Sequence, residues 1–296
     1  MKKFLLGFFI TILIIVILVV VAAVIVINLT PRQLHLEQIS LGEKTVEELG
    51  LADTKIIDIY KGIKSIGNTK EEDVVDNPVN QEEEKANAED NFEGSTLGNT
   101  DDYSSVAIEP VVYVVPKLIE YDDTTIAYIL DNIVQHADAD SSEEIKALKD
   151  ANLSVKELSI TKDGSTGKMR VVSYMDLSNY QDDIKNALGA AASVLPIPKQ
   201  AYLVSEFTFT VNSLTGKMET TPVSISVNGN SDDPVSRAIL EVMGSMADGE
   251  DVDSLNGKLG EAIARVVGNL GRIGSSLLPP YGMNGVADHK LTLVTY

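Results

Sequence analysis

The chain has 296 residues and a formal net charge of −20, from 44 acidic against 24 basic residues. So acidic a surface repels phosphate backbones, which argues against nucleic-acid binding. There is no cysteine, so disulfide and thiolate chemistry are excluded, and an extracytoplasmic body built this way suits a Gram-positive envelope.

Residues 1–3 are a short basic tip carrying Lys2 and Lys3, followed by an uncharged apolar run from Phe4 to Ile27. As a helix that run is about 36 Å long, enough to cross a hydrocarbon core of about 30 Å with some tilt. A cleaved signal peptide has a shorter apolar run and a small-residue cleavage site at its exit. Here Ala22 and Ala23 lie inside the run, so the reading is a retained transmembrane helix over 4–28. The lysines place the N-terminus in the cytoplasm and the rest of the chain outside.

Residues 29–66 form a membrane-proximal unit. Leu34 and Leu36 share one face of a weakly alternating stretch over 32–40, read as a short strand. Ile56, Ile59, Tyr60, Ile63 and Ile66 then recur at helical spacing, with Asp53 as candidate N-cap. Lys55, Lys61 and Lys64 lie towards the other side. Such a helix either rests on the bilayer surface or docks on the domain, and docking is favoured. From 67 to 104 the apolar pattern disappears, and twelve acids stand against Lys70 and Lys85. This composition reads as a self-repelling, disordered linker.

The main body is expected over 105–296, as an α+β fold of long antiparallel strands on amphipathic helices. Val111–Val115 reads as a strand ended by Pro116. Thr124 is a candidate N-cap for a helix carrying Ile126, Ile129, Leu130 and Ile133, and Ser141 with Glu144 suggests a capping box for a short helix at Ile145 and Leu148. Two similar hairpins follow: Thr166-Gly167-Lys168-Met169 in the first recurs as Thr215-Gly216-Lys217-Met218 in the second. A helix over 178–194 separates them, ending at Leu195-Pro196. The faces alternate, with Met169 and Val171 together, then Leu203, Phe207 and Phe209, then Val223, Ile225 and Val227. Gly-Lys after Ser-Thr lacks the spacing and the strand-loop-helix context of a phosphate loop.

Two helices come next. Asp233 and Pro234 start the first, with Val235, Ile239, Val242, Met243 and Met246 as its apolar stripe. The second, over about 254–277, carries Leu259, Ile263, Val266, Leu270, Ile273 and Leu277. Beside them runs a stripe of small residues: Gly257, Gly260, Ala264, Gly268, Gly271 and Ser275. Close approach of a neighbouring element is the favoured explanation. The wall of an apolar groove and a glycine-broken helix are the alternatives. A strand over 290–296 closes the chain.

No histidine sits at metal-ligand spacing with another ligand, the acids at 138–144 miss the calcium-loop pattern, and neither a nucleophile elbow nor a dinucleotide fingerprint is present. No cofactor, metal or catalytic residue is therefore assigned. The layout over Val106–Tyr296, the doubled hairpin and Leu195-Pro196 resemble the tubular lipid-binding superfamily, particularly its small anchored members in Gram-positive bacteria. That resemblance implies a curved sheet around a long helix and an apolar tunnel for acyl chains. Its lining would comprise Met169, Val171, Leu203, Phe207, Phe209, Val223, Ile225, Leu259, Ile263, Gly268 and Leu270. The expected function is binding or transfer of a lipid in the envelope, the membrane being the one other partner. The alternative is a non-catalytic scaffold or protein-interaction domain with a filled core.

Overall fold

The structure, a computed structural model, describes residues 28–41, 44–91, 116–178, 198–230, 233–246 and 252–295, with Val26 and Gln181. Apart from Val26, the apolar run at 4–27 lies outside the described residues, as do the strand expected at 111–115 and nearly all of the helix expected at 178–194, with Leu195-Pro196. Among the described residues no helix is long and apolar enough to cross a membrane.

The chain is α+β with antiparallel sheets. The main sheet is a four-stranded meander of β4 (Leu153–Asp163), β5 (Thr166–Asp176), β6 (Gln200–Val211) and β7 (Met218–Val227), in that spatial order. The two expected hairpins are thus adjacent, because β5 also pairs with β6 from Gly167↔Phe209 to Asp176↔Gln200. A smaller sheet joins β3 (Lys117–Asp122), β10 (Lys290–Thr295) and β8 (Arg272–Ile273), and β9 (Val286–Ala287) pairs with β10. β1 (Ser40–Leu41) and β2 (Lys44–Thr45) form a separate short pair.

The helices are α1 (Ile56–Asn68), α2 (Gln81–Asn91), α3 (Asp123–Gln135), α4 (Glu143–Asp150), α5 (Pro234–Met246) and α6 (Val252–Leu270). Helix α3 packs on β4, α6 packs on β7, and α4 packs against α6. Between these helices and the sheet lies one continuous core that includes Leu130, Leu158, Met169, Phe207, Phe209 and Ile263.

Several boundaries shift from their sequence positions. Residues 32–34 form a 3-10 turn, and His35 takes a left-handed backbone, which breaks the expected alternation. Asp53 does not cap α1; it pairs with Arg32 Nε at 2.8 Å, and Lys55 stands at the N-cap. Ser142 rather than Ser141 starts α4, because the Ser141 hydroxyl donates to Asp138 instead. Helix α6 ends at Leu270, since Arg272 and Ile273 pair with Val294 and Leu293 of β10. Gly271 and Ser275 therefore leave the helical stripe.

The acidic stretch expected as linker over 67–104 folds in its described part. A 3-10 turn spans Glu71–Asp73, Val74 and Val75 are buried, and α2 packs on α3 with Ala88 fully buried. Glu84, also buried, accepts a 2.6 Å hydrogen bond from Thr125 Oγ1. Its acids outnumber its apolar residues so heavily that no periodic signal survives, yet a few apolar side chains suffice to dock it. Residues 92–104 lie outside the described residues. The unit at 29–66, expected to be membrane-proximal, is likewise part of the body. Ile59, Ile63 and Ile66 of α1 are buried, Gly62 lies against Val235, and Thr69 is bonded by Gln200 and Asn228 from the ends of β6 and β7.

Both edges of the main sheet carry contacts or irregularities that hinder further pairing, as exposed edges do to avoid association. Along β4, Asp131 accepts from Val155 N at 2.8 Å, Asp123 accepts from Ile160 N at 3.1 Å, and His289 N donates to Ile160 O. Along β7, a register shift opposite Glu206/Phe207 and the presence of Pro222 interrupt the ladder, and Asn256 of α6 donates to Ser224 O.

Candidate functional site

The inner face of the sheet is where an apolar ligand would lie, and most of the expected lining residues pack against one another there. Met169, Val171, Leu203, Phe207, Phe209, Leu259 and Ile263 are all buried in the single core, and Ile225 and Leu270 pack at its margin. Two glycines show how tightly. A Cβ on Gly167 would lie 2.1 Å from the Phe209 ring, and one on Gly260 would lie 2.9 Å from the Phe207 ring. Each ring occupies the volume a side chain would have taken, so Gly260 marks close approach of α6 to the sheet. Gly268, in contrast, has nothing within 4 Å of a built Cβ and is half-buried. Val223 leaves the set altogether: it is the extra residue at the β7 register shift and is 60% exposed on the opposite face. One irregular residue suffices to invert the facing read from strict alternation. Ser173 and Ser205 also point inward, and their buried hydroxyls have no hydrogen-bond partner among the described residues.

Among the described residues, an open concavity lies on the outer face. A groove of about 950 Å³ is lined by Asp76, Glu157, Arg170, Glu206, Val223 and His289, among others. Its centre is an ion pair between neighbouring strands. Arg170 Nη1 lies 2.5 Å from Glu157 Oε1 and 3.5 Å from Asp76 Oδ2, while Nη2 donates to Val74 O at 2.7 Å. Glu157 is fully buried and also accepts from Asp76 N, Asn77 N and Ser159 Oγ. A buried carboxylate with that many donors is fully compensated. The pair does two jobs: it forms one wall of the groove, and it holds down the strap 70–79. Val74 and Val75 complete the docking by packing on Val172, Tyr202 and Val204. The strap thus covers one half of the outer face and leaves the groove on the other. Across the groove Glu206 accepts from Ser224 Oγ at 2.7 Å, and Lys168 pairs with Asp163.

At one end of the groove, His289 Nδ1 lies 2.8 Å from Asp123 Oδ2. Burial is the main influence on Asp123 and pushes its carboxyl above the usual carboxylate range, against the hydrogen bonds from His289 and Ile160 that favour the anion. An aspartate behind an exposed imidazole is half of a nucleophile-activating triad. Among the described residues no hydroxyl is hydrogen-bonded to His289, and Asp123 is engaged in joining the start of α3 to β4 and to the β9–β10 turn. A metal site needs a group of at least three histidine or carboxylate side chains, and none is found among the described residues.

Sequence periodicity could not find this groove, because it tracks apolar faces. Arg170, Glu157 and Glu206 alternate out of phase with Met169, Leu158 and Phe207, so the signal for the outer face was the complement of the one followed. Comparison with protein-family models, with curated proteins and with solved structures returns no match.

Proposed function

We propose that this chain is a non-catalytic domain held at the outer surface of a cell membrane by its N-terminal helix, and that it works through surface contacts rather than by carrying a lipid in a tunnel. The observation that carries the reading is the filled inner face, with Phe207 and Phe209 seated against Gly260 and Gly167. The lipid-transfer alternative needs open volume where those rings lie.

The membrane part of the reading rests on the charge-free run 4–27 after Lys2 and Lys3. Folded structure begins almost at the end of that run: Leu29 O accepts from Ile56 N, and Arg32 N donates to Ala52 O. The body then stands directly on the bilayer surface, without a flexible spacer. The outer groove is the partner surface in this reading, since it combines charged walls with the exposed Val223.

A photo-cross-linking residue placed at Val223 of the full chain in intact cells tests it. A discrete adduct that disappears in Glu206→Lys is expected. Adducts spread over many species and unchanged by Glu206→Lys would refute the groove as the contact surface.

A further inference from the structure

The strongest unexplained feature is at the far end of the β6–β7 hairpin. Leu214, in the turn, is 80% exposed, and Leu278 is 73% exposed in the loop after β8. Pro279 and Pro280 beside it are exposed as well. The two loops are joined: Ile273 N donates to Gly216 O at 2.8 Å, and Tyr281 N donates to Ser213 O at 3.0 Å. Tyr281 is buried beneath them, with the Arg272 guanidinium 5.7 Å from its ring centre. A Cβ on Gly216 would lie 2.6 Å from Arg272 Cβ, so the frame is closely packed. The leucines are therefore held outward by a rigid base, and burying them elsewhere would order little additional chain.

Charge says what would cover them. In a chain of net charge −20, the segments 212–218 and 271–284 contain Lys217 and Arg272 and no acid. Glu219, next to the turn, is engaged by Asn212 Nδ2 at 3.0 Å. An apolar tip with a cationic collar, on a body that is otherwise acidic, suits an anionic bilayer: leucines enter the acyl boundary, cations stay at headgroup level, and the acidic remainder is kept away.

We infer that the Leu214/Leu278 tip is a second membrane contact, dipping into the anionic leaflet in which the chain is anchored; this rests on the reading of 4–27 as an anchor. The tip follows Val211, at the opposite end of β6 from Gln200, which donates to Thr69 O at the C-terminal end of α1.

The absence of cysteine makes the test direct. The full chain carrying Leu278→Cys, labelled with an environment-sensitive fluorophore, is reconstituted into vesicles of phosphatidylcholine with one third phosphatidylglycerol, with and without doxyl-labelled lipid. Ser165→Cys, in the neighbouring β4–β5 turn at the same end, is the reference. The expected result is emission about twofold quenched by doxyl lipid at position 278 and unquenched at 165, with quenching lost in Leu214→Asp and in vesicles of phosphatidylcholine alone. A label at 278 as wet as that at 165, in chains that float with the vesicles and resist carbonate extraction, overturns the inference and leaves the anchor standing. Chains that do not float overturn both.

Discussion

Substituting Gly167 by alanine probes the packing on which the functional reading rests. Gly167 lies in β5 opposite Phe209 of β6, and the added methyl would sit 2.1 Å from the ring. Ordinary van der Waals contact begins near 3.4 Å, so ring and methyl must separate by more than 1 Å. Phe209 is 1% exposed and enclosed by the core, which leaves it little room to rotate. Overpacking of this kind costs about 1–3 kcal/mol. Phe209→Ala alone removes most of a buried ring and costs about 3–5 kcal/mol. In the double variant the methyl enters space the ring has vacated, so the penalty of Gly167→Ala should vanish. The cycle should then show coupling of about 1–3 kcal/mol in the sense that the two changes together cost less than their sum. Urea unfolding of the full chain in a mild detergent, followed by circular dichroism, measures each corner. A Gly167→Ala variant as stable as the parent would refute the reasoning, because it would mean that the ring has free volume into which to retreat.

Two further outcomes follow from the buried charges and the buried phenol. Arg170→Met leaves Glu157, which is 1% exposed, without its cation, and should cost about 3 kcal/mol; tryptic cleavage after Lys70 should accelerate as the strap 70–79 loosens, whereas Lys168→Met, whose pair with Asp163 is exposed, should change neither. Burial pushes the Tyr121 hydroxyl up to about 12. Its unfolded counterpart ionises near 10, so the folded state holds more protons between those values and stability should fall as pH rises through that window. Absorbance titration should show a late step from Tyr121 beyond those of Tyr174 and Tyr202, which burial also raises, and Tyr121→Phe should remove that step and the corresponding part of the alkaline loss.

How much of this was legible in the sequence depended on which face of an element carried the signal. Both hairpins were readable because Met169 and Val171 flank Arg170, and Phe207 and Phe209 alternate with Glu206, Thr208 and Thr210. Helix α1 was readable because Ile59, Ile63 and Ile66 repeat at helical spacing. The strap and α2 were not, since Val74, Val75 and Ala88 are isolated among acids and only tertiary contact with Val172, Val204 and α3 reveals their purpose. Strand β3 was hidden for a related reason: it begins just after Pro116, and its burial is nearly confined to Tyr121. Val223 was misassigned because strict alternation carries no mark of a register shift. The groove depended on pairings 13 to 94 residues apart, Glu157 with Arg170 and Asp76 with Arg170, and charged residues of that kind are ordinary surface residues until the fold brings them together.

The central claim is that the inner face of the sheet is full. Native mass spectrometry of the full chain, released from mild detergent after extraction from cells, tests it most directly when paired with uptake of a fluorescent fatty acid. The parent chain should fly without a retained lipid and take up no fatty acid, while Phe209→Ala should gain affinity for a small apolar probe such as benzene, as engineered apolar cavities do. A parent chain carrying one lipid per molecule, displaced by the fatty acid and lost on enlarging Gly260 to leucine, would contradict the account and restore the tunnel.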